Sequence, residues 1–151
     1  MVKGLRASML LLAVLGNLAW SFTAKANFNG KLTVEIDGLK NKEGQVCASI
    51  FTSSEGFPSD RDRGLQKQCS KITNTPLTIT FENLKAGSYA VAIFHDQNND
   101  GTLNSNGLGI PSEGFGFSCN PEIRTRAPKF SEAAFVVAGP NTYIQIQLKY
   151  F

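Results

Sequence analysis

The sequence predicts an all-β fold, an antiparallel sandwich of about seven short strands interrupted by one long Gly-rich loop. Apolar and polar residues alternate with a period of two in several short runs, the pattern of strands with one face on a core and one on water. Gly, Pro, Asn and Asp cluster between those runs, and no stretch carries a strong amphipathic helical repeat. The 151 residues, 42% hydrophobic and 18% charged with 14 Gly, suit one globular domain and exclude collagen, coiled coil and bulk disorder.

Residues 1–26 read as a secretory signal. Lys3 and Arg6 form a charged start, an apolar run follows over 9–20, and Ala24, Lys25 and Ala26 supply a small-x-small cleavage pattern. Asn17 interrupts a run already shorter than the roughly 20 apolar residues needed to cross a bilayer. Cleavage after Ala26 is therefore expected, leaving a single β-sandwich domain over 27–151 and no transmembrane segment. The periplasm or the space outside the cell is the expected location.

The first strand is read from Leu32, Val34 and Ile36 alternating with Thr33 and Glu35. Turn residues fill 37–44. Segment 45–52 is then apolar on both faces, as expected of a central strand covered on each side, and 68–72 returns along it. Leu77, Ile79 and Phe81 alternate with Thr78 and Thr80, and the turn-rich 83–87 leads into 88–95, again apolar on both faces. Residues 133–138 read as the sixth strand. After a turn at 139–141, Ile144, Ile146 and Leu148 alternate with Gln145 and Gln147 in a final strand expected to end flush with Phe151 and tie the terminus into a sheet.

Export permits disulfides, and three cysteines, Cys47, Cys69 and Cys119, lie beyond the leader. Three pairings are open. Because Cys47 falls in one strand and Cys69 in the segment returning along it, a Cys47–Cys69 bridge is favoured, with Cys119 left as a partly buried thiol. The basic pI does not point to nucleic acid. Three of the fifteen Lys and Arg fall in the leader, leaving twelve against twelve Asp and Glu, whereas a polyanion binder needs a basic surplus.

Two connections exceed simple turns. In 53–65 the patch Asp60, Arg61, Asp62, Arg63 reads as a solvated loop or one helical turn. The stretch 96–129 is long for a loop without regular structure, and such loops are usually functional or disordered. It opens with Asp96, Asn98 and Asp100 at alternate positions followed by Gly101, the front half of a calcium loop of EF-hand type. Thr102 would add a carbonyl. Gly107 stands where the closing bidentate Glu belongs, so an EF-hand is excluded, and what is left is a weak strand-borne site completed by Glu113 or water. Asx turns explain the same residues without a metal. Phe115 and Phe117 predict that the loop folds back and packs, offering an aromatic binding surface.

Several joined motifs carry a resemblance. Residues 81–87 with Tyr89, Phe94-His95-Asp96, Asn98 to Gly101, Gly109-Ile110-Pro111 and 113–118, with 44–46 and 55–58, resemble an uncharacterised family of secreted bacterial proteins, a domain of unknown function. The turn Ala86-Gly87-Ser88-Tyr89 is similar to that of transthyretin-like and carboxypeptidase-regulatory sandwiches. The resemblance implies a signal peptide and a sandwich of immunoglobulin-like or transthyretin-like form, and brings no activity, substrate or catalytic residue.

His95 is the single histidine. A small hydrolase would use it as a general base oriented by Asp96, with Glu113 or Cys119 completing the site. Strand neighbours point to opposite faces, so His95 and Asp96 should not meet, and a structural histidine is the expectation. The sequence thus predicts a non-enzymatic exported module with no catalytic residues. It would bind a saccharide, a peptide or an envelope partner through the 96–129 loop, with calcium as the one candidate cofactor.

Overall fold

The computed structural model describes residues 28–151, so the leader and its cleavage site lie outside the described residues. Eight strands form two sheets: β1 (Gly30–Asp37), β2 (Gln45–Phe51), β3 (Gln66–Lys71), β4 (Leu77–Leu84), β5 (Gly87–Asp96), β6 (Phe115–Phe117), β7 (Phe135–Val137) and β8 (Asn141–Gln147). One sheet has the order β4-β1-β8. The other runs β3-β2-β5-β6, with β7 also paired to β5. A four-residue helix, α1 (Phe130–Ala133), precedes β7.

The core follows from the alternation. Leu32, Val34 and Ile36 from β1 face Val46, Ala48 and Ile50 from β2 and Tyr89, Val91 and Ile93 from β5. Each is at most 5% exposed, and their burial away from water is the main term holding the sheets together. The other face of β2 and β5 carries Cys47, Ala90, Ala92 and Phe94, which with Phe115 and Phe117 build a second apolar cluster outside the sandwich. That cluster explains why these two strands read as apolar on both faces.

Four expectations are corrected. The sheets are not wholly antiparallel, because β8 runs parallel to β1 from Lys31↔Asn141 to Asp37↔Gln147. Strand β6 lies inside the expected 96–129 loop, pairing Ala92↔Phe117 and Phe94↔Phe115. Ala133 closes a helical turn, and the strand expected from 133 begins at Phe135. The last strand ends at Gln147 and not at Phe151. The terminus is still tied down, since Lys149 N–H donates to the Phe115 carbonyl at 2.8 Å and Phe115 N–H to that of Lys149 at 2.9 Å.

This last pair joins the two sheets along one side. On the other, Gln66 Nε2 on β3 donates to the Glu82 carbonyl at 2.8 Å and Gln68 Nε2 to that of Thr80 at 2.6 Å. Side-chain amides thus occupy edge carbonyls of β4 that would otherwise invite another strand. A Cys47–Cys69 disulfide links directly opposed residues of β2 and β3.

Candidate functional site

The outer face of the five-stranded sheet is built over by three connections. Residues 52–65 pass on one side, and a 3-10 turn at Arg61–Arg63 stands there on an Asp60 carboxylate that accepts the Asp62 N–H. Residues 97–114 pass on another, and 118–134 on the third. Between them lies a cleft of about 970 Å³, near the upper end of the usual range for small-molecule sites. Its floor is Ala92, Phe94, Phe115 and Phe117. Phe115 and Phe117 are 4% and 8% exposed, so they pave the cleft and do not project as a surface. Leu103, Ile110 and Phe151 stand at its margin.

Arg61, expected within a solvated charge patch, turns into this cleft. Its Nε donates to Ser49 Oγ at 3.1 Å and its Nη1 to the Gly101 carbonyl at 3.2 Å, with the guanidinium over the Phe94 ring. One side chain therefore ties the 3-10 turn, strand β2 and the 97–114 segment together. The rest of the patch behaves as expected: Arg63 pairs with Glu55 and Asp60, and Lys67 with Asp62, all exposed.

The 97–114 segment takes its shape from carboxylates that accept backbone N–H groups. Asp96, fully buried, accepts from Asp100 N on Oδ1, and from Gly101 N and Gln45 Nε2 on Oδ2. Asp100 accepts from Thr102 N and Oγ1 on one oxygen and from the Asn98 and Asn104 side-chain amides on the other. The Asn104 amide, then the Thr102 and Asn98 donors, hold its carboxyl far below the usual carboxylate range. Glu113 accepts from Gln97 N at 2.9 Å and Asn104 N at 2.9 Å, which closes the segment's base. Asn99 and Gly101 supply the left-handed positions, with φ of 59° and 80°.

These bonds bear directly on the calcium expectation. Asp96, Asn98, Asp100, Thr102 and Glu113 do come together in one segment, where the Asp96, Asn98, Asp100 and Glu113 oxygens accept N–H donors and the Thr102 hydroxyl donates to Asp100. Among the described residues no group of three or more His, Cys, Asp or Glu is placed to hold a metal. Among the buried side-chain oxygens and nitrogens of the described residues, Asn104 Oδ1 alone has no partner.

His95 and Asp96 point to opposite sides of β5. The fully buried imidazole sits on the inner face, with Nδ1 2.8 Å from the Tyr150 hydroxyl and Nε2 2.7 Å from the Glu43 carbonyl. Both ring nitrogens are engaged away from the cleft. Cys119, expected to be partly buried, is exposed. Its Sγ lies 3.4 Å from the Ala134 carbonyl, and desolvation raises the thiol's pKa, which lowers its thiolate fraction and nucleophilicity.

Sequence reasoning missed Ser118. β6 and β7 occupy the same edge of β5 in tandem, at Ala92–Phe94 and Gly87–Tyr89, with a gap at Val91. Ser118 fills it. Its N–H donates to the Val91 carbonyl at 3.0 Å. Its Oγ accepts the Val91 N–H at 2.8 Å and donates to the Ala133 carbonyl at 2.5 Å. A hydroxyl here takes the part of a strand carbonyl, and neither period nor composition signals that.

No match is found among the curated proteins, and none among the solved structures. Residues 34–145, well over half of the chain, match a bacterial family described as "Uncharacterized protein conserved in bacteria (DUF2141)", and the chain belongs to that family.

Proposed function

We propose that this protein is an exported, non-enzymatic binding module that holds its ligand in the cleft over the five-stranded sheet. A saccharide, a peptide or an envelope partner are the ligand classes the sequence raises. The observation that carries the reading is the cleft itself: an apolar floor on a rigid sheet, with one wall, the 97–114 segment, fixed through the buried carboxylates of Asp96 and Glu113. A largely pre-formed, mostly apolar hollow with a few fixed polar groups is the usual form of a ligand site. Export is supported by the leader pattern and by the Cys47–Cys69 disulfide, which an oxidising compartment preserves. Among the described residues no helix is long and apolar enough to cross a membrane.

The binding reading is preferred to a hydrolase because His95 turns away from the cleft. A neutral environment-sensitive dye, N-phenyl-1-naphthylamine, should brighten on the native protein. Placing a charge on the margin with Ile110→Asp should abolish that signal without shifting the Tm. Undiminished dye binding by the variant would place the apolar site elsewhere. Calcium enters this reading only as a stabiliser of the 97–114 segment, with the unpartnered Asn104 Oδ1 in its favour. A Tm unchanged between chelator and about 5–10 mM Ca²⁺ removes the ion from the account.

A further inference from the structure

We infer that the cleft takes a monoanionic amphiphile, a small molecule with an aliphatic body and one carboxylate head, with the head on Arg61. This rests on the binding reading above and names the ligand class for that site. The cleft presents one guanidinium that makes no ion pair, beside a concentration of exposed apolar side chains.

The charge is Arg61. Its bonds to Ser49 Oγ, the Gly101 carbonyl and Cys69 Sγ, the last at 3.5 Å, use three of the five N–H donors of a guanidinium. One donor is left on each terminal nitrogen. The other cations on the cleft wall are already paired, Lys67 with Asp62, Arg124 with Glu122 and Arg126 with Glu132. Arg61 pairs with no carboxylate among the described residues. A partly buried guanidinium with spare donors and no direct ion pair carries a desolvation cost that a bound anion offsets.

The apolar part is the margin. Among the described residues seven large hydrophobic side chains are exposed, and four of them, Leu103, Leu108, Ile110 and Phe151, line this one cleft. Such residues scattered singly are ordinary, whereas their gathering marks a contact site. The nature of the floor then selects among ligands. Phe94, Phe115 and Phe117 offer no hydroxyl or amide to sugar hydroxyls. The β5 backbone there is paired with β2 on one side and β6 on the other, so a peptide finds no free strand edge to extend. An aliphatic carboxylate needs only apolar contact along its body and donors at its head.

The test titrates decanoate and 1-decanol, which share a ten-carbon body and differ in head-group charge, into the disulfide-bonded protein. Calorimetry gives affinity, and amide chemical shifts give location. Decanoate should bind at least about tenfold tighter than decanol, shifting Arg61, Phe94 and the 101–110 amides. Arg61→Gln should bring that ratio close to one, and Ile110→Asp should weaken both. Equal binding of the two probes by the native protein overturns the assignment to Arg61 while leaving the cleft as the site. Occupation of the cleft by an apolar peptide or an oligosaccharide, with decanoate failing, overturns the inference in favour of that class. If no probe shifts cleft amides, the binding reading beneath it falls as well.

Discussion

Asp100 shows how much one side chain can settle. Its two oxygens accept four donors, two of them side-chain amides on the same oxygen. Asp100→Asn would aim an NH₂ at donors whichever way the amide is turned, so the variant should lower the Tm although it is isosteric. Because the folded pKa lies below the unfolded one, near 3.9, the carboxylate's contribution is full above that value and is lost as pH falls through the folded pKa. A carbon-detected NMR titration should place the Asp100 midpoint well below that of an ordinary Asp, and a normal midpoint would contradict the network. Ser118→Ala should cost about 1–3 kcal/mol in a urea melt, because Val91 N–H and the Ala133 carbonyl each lose a buried partner. The Asp-x-Asn-x-Asp-Gly spacing was legible in the sequence as a loop-shaping device, since alternate Asx residues before a Gly suit amide acceptance and cation binding alike. Which donors they meet depends on residues such as Gln45 and Asn104 that only folding brings near.

At the scale of elements, strands with an alternating or two-faced apolar run were legible, and so was the short β7 within 133–138, whereas β6 was not. β6 holds three residues, Phe-Gly-Phe, in a Gly-rich stretch, too few for a period to register. Its glycine is there for packing: a Cβ at Gly116 would lie 2.7 Å from Ile146 Cγ2 and 3.0 Å from the Gln147 carbonyl. Gly116→Ala should therefore destabilise by about 1–3 kcal/mol through overcrowding, read as a lower urea midpoint. The parallel pairing of β1 with β8 was equally hidden, because alternation looks the same in either direction. The disulfide was legible, since β2 and β3 were recognised as returning neighbours. It closes a span of 22 residues, and replacing both cysteines by Ala should cost about 3 kcal/mol, measured by melts of the oxidised native protein against the double variant.

For the molecule as a whole, the sandwich was readable because its core strands each carry their own pattern, whereas the cleft was not. Its parts, Arg61, Phe94, Ile110 and Phe117, are scattered over more than fifty positions and meet on the outer side of a sheet whose inner side makes the core. An Asp-Arg-Asp-Arg run gives no hint that one arginine leaves the solvated patch and crosses to Ser49 and Gly101. Both long edges of the sandwich are closed, by Lys149 with Phe115 and by the β3 glutamines on β4. The outer face of the five-stranded sheet is then the place where apolar side chains and an unpaired charge reach solvent together. The most direct check is amide chemical-shift mapping during titration with decanoate. Shifts are expected to be confined to the cleft amides, residues 59–62, 92–94, 101–110, 115–117, 123–127 and 151. Shifts centred on the outer face of the β4-β1-β8 sheet, or around His95 and Tyr150, would contradict it.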